Sequence, residues 1–528
     1  MERQRPSIFN DIVGPFMIGP SSSHTCAPSR IGYMSRQLLD SSLKKAVIKF
    51  AREGAYTNMY RGQRSDLGFV NGLLGNKPED PKLRNAFKIA KEKDISITFE
   101  ISDFEAFVPN IAVLELTGVD GDTVTVHSDS TGSGTFKLLK INGFDTSIIG
   151  DCYELLIQCN VEESEQIENY LNENFKDNEG YIKSQLNDEY LFNVKIRQAV
   201  SNEKLNEIRL LNGVKWVKLL EPIISVMSNR NAILPFKSAI ELEELSEKTG
   251  KTLWELGVEY ECVRSGWTRE EVIDYMEYVI KTMESGVKEA LKGDIDMNGI
   301  IEPTAGKIDN YIKASDSRLD MGVLNTAVPW AMATMEYSSA MGLVLCAPTG
   351  GSAGIFPGAV LGVADYLNLS MKKKVELMFV TAVIGVVMSK DFTYSAELYG
   401  CQVEPGAASA MAAGALVYLM GGTAKQSLAA ASCAVQNILG TICDPVAGLV
   451  QVPCISRNAM SVGNAVISAN MVMGGYDPLI PLDESTETMF RVGTQLPSEL
   501  RCTCNGGLCI TQTGKRLALE QSIRDDNR

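Results

Sequence analysis

Histidine is almost absent from this sequence. Among 528 residues only His24 and His127 occur. Most catalytic zinc sites use two or three histidines, so a site of that kind is nearly excluded. The chemistry of the chain is therefore to be sought first in other side chains, above all in its 12 cysteines.

Long apolar runs and an excess of positive charge are also lacking. The longest apolar stretches cover about a dozen residues, as at residues 377–388, which is too short to span a bilayer. The formal net charge of -15 argues against a nucleic-acid partner and against docking on anionic lipid. The polar start lacks the apolar segment of a secretory signal. We therefore expect a cytoplasmic protein that acts on a small molecule, with no nucleic-acid or membrane partner.

The pattern of elements divides the chain into three parts. Residues 46–50 and 95–101 predict strands, residues 81–93 predict a helix, and a hairpin is expected around residues 130–134. We place these elements in an α/β domain that covers residues 1–148.

The other two parts differ from the first in their periodicity. Residues 149–225 alternate between strand-like and helix-like stretches and predict a small α+β domain, with a loop or insertion at residues 176–188. Residues 226–528 are predicted to be an all-helical domain. In it, residues 406–422 are almost entirely small or apolar and predict a central buried helix. The predicted fold class is therefore multidomain.

Three cysteines lie at turns marked by glycine or proline beside helix-like stretches: Cys401, Cys443 and Cys454. Such turns can direct thiolates at one point and offer backbone N–H groups to the sulfurs of an iron-sulfur cluster. Three thiolates leave one iron of a cubane without a protein ligand, and Lewis-acid catalysis requires such an open position. Most cytosolic cysteines, however, are small buried side chains, and three unrelated ones would give the same spacing.

Two short turns are candidates for binding a substrate. Residues 21–25 form a hydroxyl-rich turn before a predicted helix, which suits an anion such as a carboxylate, and His24 in it is a candidate acid or base. Residues 349–352 contain glycines that permit close approach of the backbone to a ligand. By residue type alone, a plain N-cap with a surface histidine is the simpler explanation of the first turn. An ordinary interhelical turn explains the second equally well.

Longer motifs allow a comparison with known families: Ser7-Ile-Phe-Asn-Asp-Ile12, Gly19-Pro-Ser-Ser-Ser-His-Thr25, Ala347-Pro-Thr-Gly-Gly-Ser-Ala-Gly354, Gly400-Cys-Gln-Val-Glu-Pro-Gly406, Cys443-Asp-Pro-Val-Ala-Gly-Leu-Val-Gln-Val-Pro-Cys454 and Arg457-Asn-Ala459. In these motifs the chain resembles the iron-sulfur-dependent L-serine dehydratases, also called L-serine ammonia-lyases. The likeness covers nearly the whole chain and has the form in which a β chain is fused ahead of an α chain.

The resemblance implies an oxygen-sensitive lyase of amino-acid degradation and gluconeogenesis that forms a homodimer. Its [4Fe-4S] cluster would be bound by Cys401, Cys443 and Cys454. The open iron would bind the carboxylate and β-hydroxyl of L-serine, a base would remove the α-proton, and loss of water would lead to pyruvate and ammonia. The resemblance makes His24 a catalytic candidate. It also implies substrate-binding roles for Ser21, Ser22, Ser23, Thr25, Thr349, Gly350 and Ser352.

The sequence departs from the family pattern at positions that would contact the substrate. Gln63 and Val108 stand where the family carries histidines, and Met335 stands where it carries an asparagine. Lys307 replaces an aspartate and reverses the local charge. We predict that Lys307 is catalytic or binds a second carboxylate, with a surface lysine as the alternative.

Other functions therefore stay open beside a serine dehydratase. The same cluster would serve a cysteine desulfidase, or a dehydratase for a hydroxy acid with an extra carboxylate. A non-catalytic sensor of iron-sulfur status or of a metabolite would also keep the cluster while losing the histidines. Cys502, Cys504 and Cys509 lie in a segment that resembles one near the family's active site, so each is a candidate fourth ligand or a packing cysteine.

The small domain at residues 149–225 resembles the ACT-like domain of the family's β chain. Its first strand-to-helix turn, residues 159–164, lacks the glycine that usually admits an amino-acid effector. We therefore expect a structural role for this domain.

Overall fold

The computed structural model describes residues 6–389 and 392–526. It confirms a multidomain chain in which an α/β part is followed by a small unit of strands and helices and then by a helical part. Residues 1–5, on which the prediction of no secretory signal partly rests, lie outside the described residues. Within the described ranges, no helix is both long and apolar enough to cross a membrane.

The first described residues pack on the helical part. A π-helix at Ile8–Ile12 is buried in the helical core, because its apolar side chains, such as Phe9, find their neighbours there. Strand β1 (Phe16–Ile18) then pairs antiparallel with residues 343–345. A second π-helix at Ser22–Cys26 follows directly. The hydroxyl-rich turn therefore lies at the boundary between the α/β part and the helical part.

The α/β part contains one mixed sheet of six strands: β2 (Leu43–Ala51), β3 (Ser96–Ser102), β4 (Ile111–Gly118), β5 (Thr123–Gly132), β6 (Thr135–Ile141) and β7 (Phe144–Ile148). Their order is β3-β2-β4-β5-β6-β7, with β2 and β3 parallel and the other pairs antiparallel. Buried branched and aromatic residues alternate with polar ones along β4, β5 and β6, so one face packs on the helices. The predicted strands and the hairpin formed by β5 and β6 are confirmed.

The helices of the α/β part are α1 (Ala27–Arg36), α2 (Tyr56–Met59), α3 (Ser65–Leu73) and α4 (Ala86–Glu92). The helix predicted at residues 81–93 is a 3-10 turn followed by α4. Helices α1 and α3 touch at their backbones, since a Cβ on Gly72 would lie 1.9 Å from the carbonyl oxygen of Ser29. This close crossing fixes α1, and with it the π-helix that runs directly into α1.

The small unit contains β8 (Tyr153–Asn160), α5 (Ser164–Asn174), β9 (Tyr181–Leu186), β10 (Glu189–Ile196), α6 (Asn202–Arg209) and β11 (Val214–Leu220). Its antiparallel sheet has the order β11-β8-β10-β9 and thus a βαββαβ topology. The loop predicted at residues 176–188 is wrong, because β9 lies there as an edge strand. Its mostly exposed side chains do not show the alternation of a half-buried strand. The likeness to an ACT domain stays a prediction.

The helical part contains α7 (Ala239–Thr249), α8 (Leu253–Ser265), α9 (Arg269–Leu291), α10 (Ala305–Ala314), α11 (Leu324–Ser339), β12 (Leu343–Leu345), α12 (Val363–Tyr366), α13 (Met371–Met388), α14 (Ala396–Tyr399), α15 (Pro405–Leu419), α16 (Ala424–Gln436), α17 (Cys454–Met473), α18 (Leu482–Gln495) and α19 (Gln512–Asp526). The prediction of an all-helical part needs one correction, which is β12. This short strand forms because β1 supplies its hydrogen-bond partner.

Helix α15 lies at the centre of the helical part and is buried along almost its whole length. The central helix predicted at residues 406–422 is therefore confirmed. Its alanines and glycines let α13, α16 and α17 approach closely. Cys401 lies just before α15 and Cys454 begins α17, so the packing of these two helices sets the separation of two predicted ligands.

Candidate active site

The three predicted metal ligands lie in the helical part, two of them beside helix starts and one in a connecting segment. Cys401 starts a 3-10 turn before α15, Cys454 is the first residue of α17, and Cys443 lies in the segment between α16 and α17. All three are buried, with exposed fractions of 4% for Cys401, 4% for Cys443 and 9% for Cys454. The first amide groups of a helix lack intrahelical partners, so the two helix starts also offer N–H donors beside the thiols.

The thiols of Cys401 and Cys443 face one another. Their sulfur atoms and a carboxylate oxygen of Glu404 all lie within 4.8 Å of one another. Cys454 is close enough that charges at Cys401 and Glu404, after burial itself, raise the pKa of its thiol. The Asn458 amide holds this helix start by donating to the Cys454 carbonyl over 2.9 Å. Buried thiolates that converge in this way are the ligands that iron-sulfur clusters and zinc prefer.

Arg457 brings positive charge to this group. Its Nη1 lies 3.9 Å from the sulfur of Cys401 and donates to the carbonyl of Ile442 over 2.9 Å. Its Nη2 pairs with Asp444 at 2.9 Å. A hydrogen bond from Cys443 and, against the opposing effect of burial, the charge of Arg457 lower the pKa of Cys401. The arrangement therefore favours a thiolate at Cys401.

The predicted turn at residues 21–25 is buried and meets Glu397 of α14. Ser21 caps the π-helix, because its hydroxyl accepts a hydrogen bond from the backbone N–H of His24 over 3.1 Å. The Ser23 hydroxyl donates to Glu397 over 2.7 Å, and Nδ1 of His24 lies 3.4 Å from the same oxygen. Nε2 of His24 is buried and has no hydrogen-bond partner among the described residues. His24 is thus no surface histidine.

The second predicted turn packs directly on the first. The backbone N–H of Gly350 donates to the Ser22 hydroxyl over 3.1 Å, and a Cβ on Gly350 would lie 2.7 Å from the backbone nitrogen of Ser22. On the other side, a Cβ on Gly351 would lie 3.0 Å from a carboxylate oxygen of Glu404. The glycines therefore let this turn lie between the π-helix and Glu404.

The remaining predicted residues of this turn are buried as well. The hydroxyls of Thr349 and Ser352 lie 3.0 Å apart. A hydrogen bond with Thr349 also reaches Glu404, where it lowers the pKa of the carboxyl group. Burial, followed by the nearby Cys401 and Glu397, outweighs this effect and raises the pKa of Glu404 well above its ordinary value. The surroundings of Glu404 therefore favour its protonated form.

Two further groups near Glu397 have shifted pKa values, chiefly because they are buried. Burial lowers the pKa of His24, and the charge of Glu397 offsets part of this change. Burial and then Glu397 raise the pKa of Asp129 to about 7. One oxygen of Asp129 has no hydrogen-bond partner in the part of the chain that the structure describes. Shifted groups of this kind cluster at functional sites.

Two of the residues at which the chain departs from the family pattern, Gln63 and Met335, lie next to residues of the site. Thr25 donates its hydroxyl to the backbone carbonyl of Gln63 over 2.6 Å, so its side chain joins the π-helix to the α/β part. Val108 is half-buried. Met335 is fully buried and packs in one apolar cluster with Cys454.

Lys307 does not join this group. It is exposed on α10, whose start is fixed by backbone N–H groups of Thr304 and Ala305 that donate to Glu336. No hydrogen bond or ion pair joins Lys307 to the cysteines or to His24 in the part of the chain that the structure describes. Its predicted catalytic role therefore rests on the sequence alone.

Four residues at the site were given no role by the sequence analysis: Glu397, Glu404, Asp444 and Arg457. Glu404 and Asp444 stand inside the cysteine motifs, and Arg457 follows Cys454 by three positions. Charged residues within a segment of small and apolar side chains are a signal, since charges are rarely buried without a partner. Glu397 has a weaker signal, because its partners in the π-helix lie far away in the sequence.

The chain is similar to several known proteins. A family model described as serine dehydratase alpha chain matches residues 161–509. A protein named probable L-serine dehydratase, alpha chain, from Bacillus subtilis is 36% identical over 282 residues, which are 53% of this chain and 94% of that protein. L-serine dehydratase 1 of Escherichia coli is 34% identical over 283 residues, which are 52% of this chain and 62% of that protein. The L-serine dehydratase of Haemophilus influenzae is 25% identical over 509 residues, which are 93% of this chain and 96% of that protein.

Proposed function

The chain belongs to the L-serine dehydratase family, and on this basis we propose that it converts L-serine into pyruvate and ammonia with one [4Fe-4S] cluster. One observation carries the proposal. The buried thiols of Cys401 and Cys443 lie next to the helix that holds Glu397, and Glu397 in turn binds Ser23 and faces His24. Metal ligands and an acid–base group thus meet at one domain boundary, where ligand sites are common.

The residues present fit an iron-sulfur cluster. Cys401, Cys443 and Cys454 offer three buried thiols, and the guanidinium of Arg457 offsets their negative charge. When bound, the cluster supplies a Lewis acid that makes the β-hydroxyl of the substrate a better leaving group. Only two histidines occur in the whole chain, so a catalytic zinc bound mainly by imidazoles is a poor alternative.

His24 is the residue that we assign to proton transfer. Burial lowers the pKa of His24, so its ring is neutral at neutral pH. With its proton on Nδ1, which faces Glu397, the ring keeps a lone pair on Nε2, and no described protein group donates to it. The pairing with Glu397 orients the ring and stabilises its charged form after it has taken a proton. We infer that Nε2 accepts the α-proton of the substrate.

The two turns form a rim suited to a small anionic substrate. The hydroxyls of Ser22 and Ser23 and the N–H of Gly350 already have protein partners, so they shape the turns. The first backbone N–H groups of the π-helix lack intrahelical partners, and we propose that they bind a carboxylate. We propose that Ser21, Ser22, Ser23, Thr25, Thr349, Gly350 and Ser352 contribute to substrate binding in this way, several of them through the backbone.

The position of Lys307 bears on whether the substrate has one carboxylate or two. A hydroxy acid with an extra carboxylate would need a second positive group in the site. Lys307 is exposed on α10, and none of its described contacts reaches the cysteines. A substrate with a single carboxylate is therefore favoured. This requirement is met by L-serine, and L-cysteine would meet it equally well.

The proposal is tested with protein that is purified and assayed without oxygen. Wild-type protein is supplied with L-serine, and pyruvate and ammonia are measured together with bound iron. The variant His24→Asn should lose turnover by about 10²–10⁴-fold while it keeps its iron. The matched control is His127→Asn, which changes the only other histidine of the chain and should leave turnover unchanged.

Each other outcome has a definite meaning. Full iron without pyruvate from L-serine, combined with pyruvate and sulfide from L-cysteine, would replace dehydration by desulfidation at the same site. Full iron without turnover on either amino acid would contradict the proposed activity. Equal activity of the His24→Asn and His127→Asn proteins would remove His24 from the mechanism.

A further inference from the structure

Two cysteines of the segment between α18 and α19 lie side by side. The sulfur atoms of Cys504 and Cys509 are 3.5 Å and 3.2 Å from one carbonyl oxygen, that of Pro445. The two side chains also interact directly with each other. Only four residues, 505–508, separate them in the sequence. Sulfur atoms that face one oxygen in this way are neighbours, and this proximity is the first requirement of a disulfide.

Both cysteines border a cavity of about 300 Å³. Its wall is also formed by Arg61 of the α/β part, by Gly448 and by Gln521 of α19. Cys504 is half-buried, whereas Cys509 is 7% exposed. A small reagent that enters the cavity therefore meets Cys504 first and finds a second thiol directly behind it.

The pair is placed differently from the other cysteines that lie close together. Neither Cys504 nor Cys509 belongs to the buried cluster that contains the predicted ligands Cys401 and Cys443, although Cys504 packs against its edge. Another two, Cys26 and Cys346, share a cluster that is fully buried and do not line this cavity. The reactivity of a thiol towards a reagent in solution follows its accessibility. Cys504 and Cys509 thus combine proximity with access.

We propose that Cys504 and Cys509 are a thiol–disulfide exchange site, at which a small disulfide oxidises them to a reversible disulfide with each other. The thiolate of Cys504 attacks one sulfur of the small disulfide, so that a mixed disulfide forms and the other half leaves as a thiol. The thiolate of Cys509 then attacks the sulfur of Cys504, and the second half leaves as a thiol. The two protons of the cysteines end on the two released thiols. Two electrons pass from the cysteines to the small disulfide.

The new bond would act on the proposed cluster site through Asp444. The backbone N–H of Leu508, next to Cys509, donates to Asp444 over 2.8 Å, and Asp444 pairs with Arg457. The disulfide also withdraws both sulfur-bound protons from the carbonyl of Pro445, which follows Asp444 directly. This link to turnover rests on the proposed function, whereas the disulfide itself does not.

The test uses the full chain, reconstituted with iron and sulfide, kept free of oxygen and treated with 2-hydroxyethyl disulfide. Free thiols are blocked with one alkylating reagent, disulfides are then reduced, and the released thiols are labelled with a second reagent. Trypsin releases residues 502–515 as one peptide, and its fragmentation in a mass spectrometer shows which of its three cysteines carry the second label. We expect Cys504 and Cys509 to carry it, and dithiothreitol given before the first reagent to abolish it.

Two variants separate the two steps of the exchange. Cys509→Ser should stop at the mixed disulfide on Cys504, seen as the added mass of half the reagent. Cys504→Ser should react at this segment at least about tenfold more slowly than the wild type, because the more accessible thiol is gone. Cys433→Ser is the matched control, since it changes a buried cysteine of the helical core, and it should match the wild type. The buried cysteines Cys26 and Cys346 should stay reduced in every sample.

The two proposals fail in different ways. A second label that is absent from residues 502–515, or that falls on Cys502 in place of Cys504 or Cys509, would overturn the exchange site and leave the proposed function intact. Turnover of L-serine, followed in the same samples, should fall several-fold in the oxidised wild type, recover with dithiothreitol and stay unchanged in Cys504→Ser. A disulfide that forms without any change in turnover would overturn the link to the site. Wild-type protein that binds no iron and forms no pyruvate would overturn the proposed function, and the labelling would still decide on the disulfide.

Discussion

Nδ1 of His24 lies 3.4 Å from Oε1 of Glu397, and the hydroxyl of Ser23 donates to the same oxygen over 2.7 Å. Glu397 also accepts a hydrogen bond from Ser395 over 2.6 Å at its other oxygen. The carboxylate is thus held from both sides by groups that fix its orientation. It links the α/β part, which carries the imidazole, to the turn that leads into Cys401.

This link predicts the effect of Glu397→Gln on the pH dependence. The charge of Glu397 raises the pKa of His24 against the lowering effect of burial, so its removal should lower that pKa further. A base must be neutral to act, and activity is lost as the pH falls through its pKa. The acidic limb of kcat/KM against pH should therefore move to lower pH in the variant. Turnover at neutral pH should fall by about 10–100-fold, because the ring loses its orienting partner.

The control for this prediction is Glu165→Gln, which neutralises an exposed carboxylate of the small unit. Its profile should match that of the wild type. An acidic limb that stays in place in Glu397→Gln would show that the group titrating there is not His24.

The cysteine ligands predict a pattern of iron loss. Replacing Cys401, Cys443 or Cys454 by alanine should remove most of the bound iron, because the cluster then keeps too few thiolates. Cys433→Ala is the matched control, since Cys433 is equally buried but lies in the helical core. Iron and sulfide are measured after anaerobic reconstitution. Full iron in all four variants would contradict the assigned ligands.

The contacts of Arg457 predict that its variants lose the proposed cluster faster in air than the wild type does. Its guanidinium contacts the Cys401 sulfur and pairs with Asp444, so it offsets thiolate charge and also holds the loop. Arg457→Ala should lose its visible absorbance in air several-fold faster than the wild type. Arg457→Lys should lie between them, because an ammonium keeps the charge but cannot make both contacts. Equal rates in all three proteins would show that the arginine has no such role.

Much of the fold could be predicted from local patterns, and two strands were missed for different reasons. The sequences of β2 and β3, which are rich in branched residues, predict strands. The small and apolar residues of α15 predict a buried helix. Strand β9 was missed because an edge strand exposes most of its side chains. Strand β12 was missed because its three residues form a strand only through a partner at the other end of the chain.

The raised pKa of Asp129 predicts that the free energy of unfolding depends on pH. Its pKa of about 7 in the folded protein lies above the ordinary value of 3.8, so folding favours the protonated form. The wild type should therefore lose stability as the pH rises from about 4 to about 7. Asp129→Asn removes this loss, so it should be more stable than the wild type at pH 8, by at most about 4 kcal/mol, and equally stable at pH 4. Thermal midpoints at the two pH values measure the difference.

Asp120→Asn provides the comparison, because Asp120 is an exposed aspartate in the same sheet region. It should unfold with the wild type at both pH values. An Asp129→Asn protein that gains nothing at pH 8 would show that the carboxyl group is not held protonated.

The exposure of Lys307 predicts that replacing it has little effect on turnover. Since it is exposed and none of its described contacts reaches the site, Lys307→Ala should leave turnover within about twofold of the wild type. A loss of a hundredfold or more without loss of iron would restore the catalytic role that the sequence suggested. The control is Lys313→Ala, which replaces another exposed lysine of α10.

Some features of the candidate site could likewise be predicted from the local sequence, whereas others depend on contacts between residues far apart in the chain. The positions of Cys401 and Cys454 beside helices could be predicted, because each stands at a turn marked in the local sequence. The contact between Ser23 and Glu397 could not, since it joins residues 374 positions apart. The exposure of Lys307 was also out of reach, because the charge of a residue does not tell on which face of its helix it lies.

The central claim is that L-serine is deaminated by a cluster bound to these cysteines. The most direct test compares wild-type protein and Cys443→Ala, both reconstituted and assayed without oxygen, for bound iron and for pyruvate formed from L-serine. The account predicts about four irons per chain and steady formation of pyruvate in the wild type, with little of either in the variant. Pyruvate formed at equal rates by both proteins, or by wild-type protein that holds no iron, would contradict it.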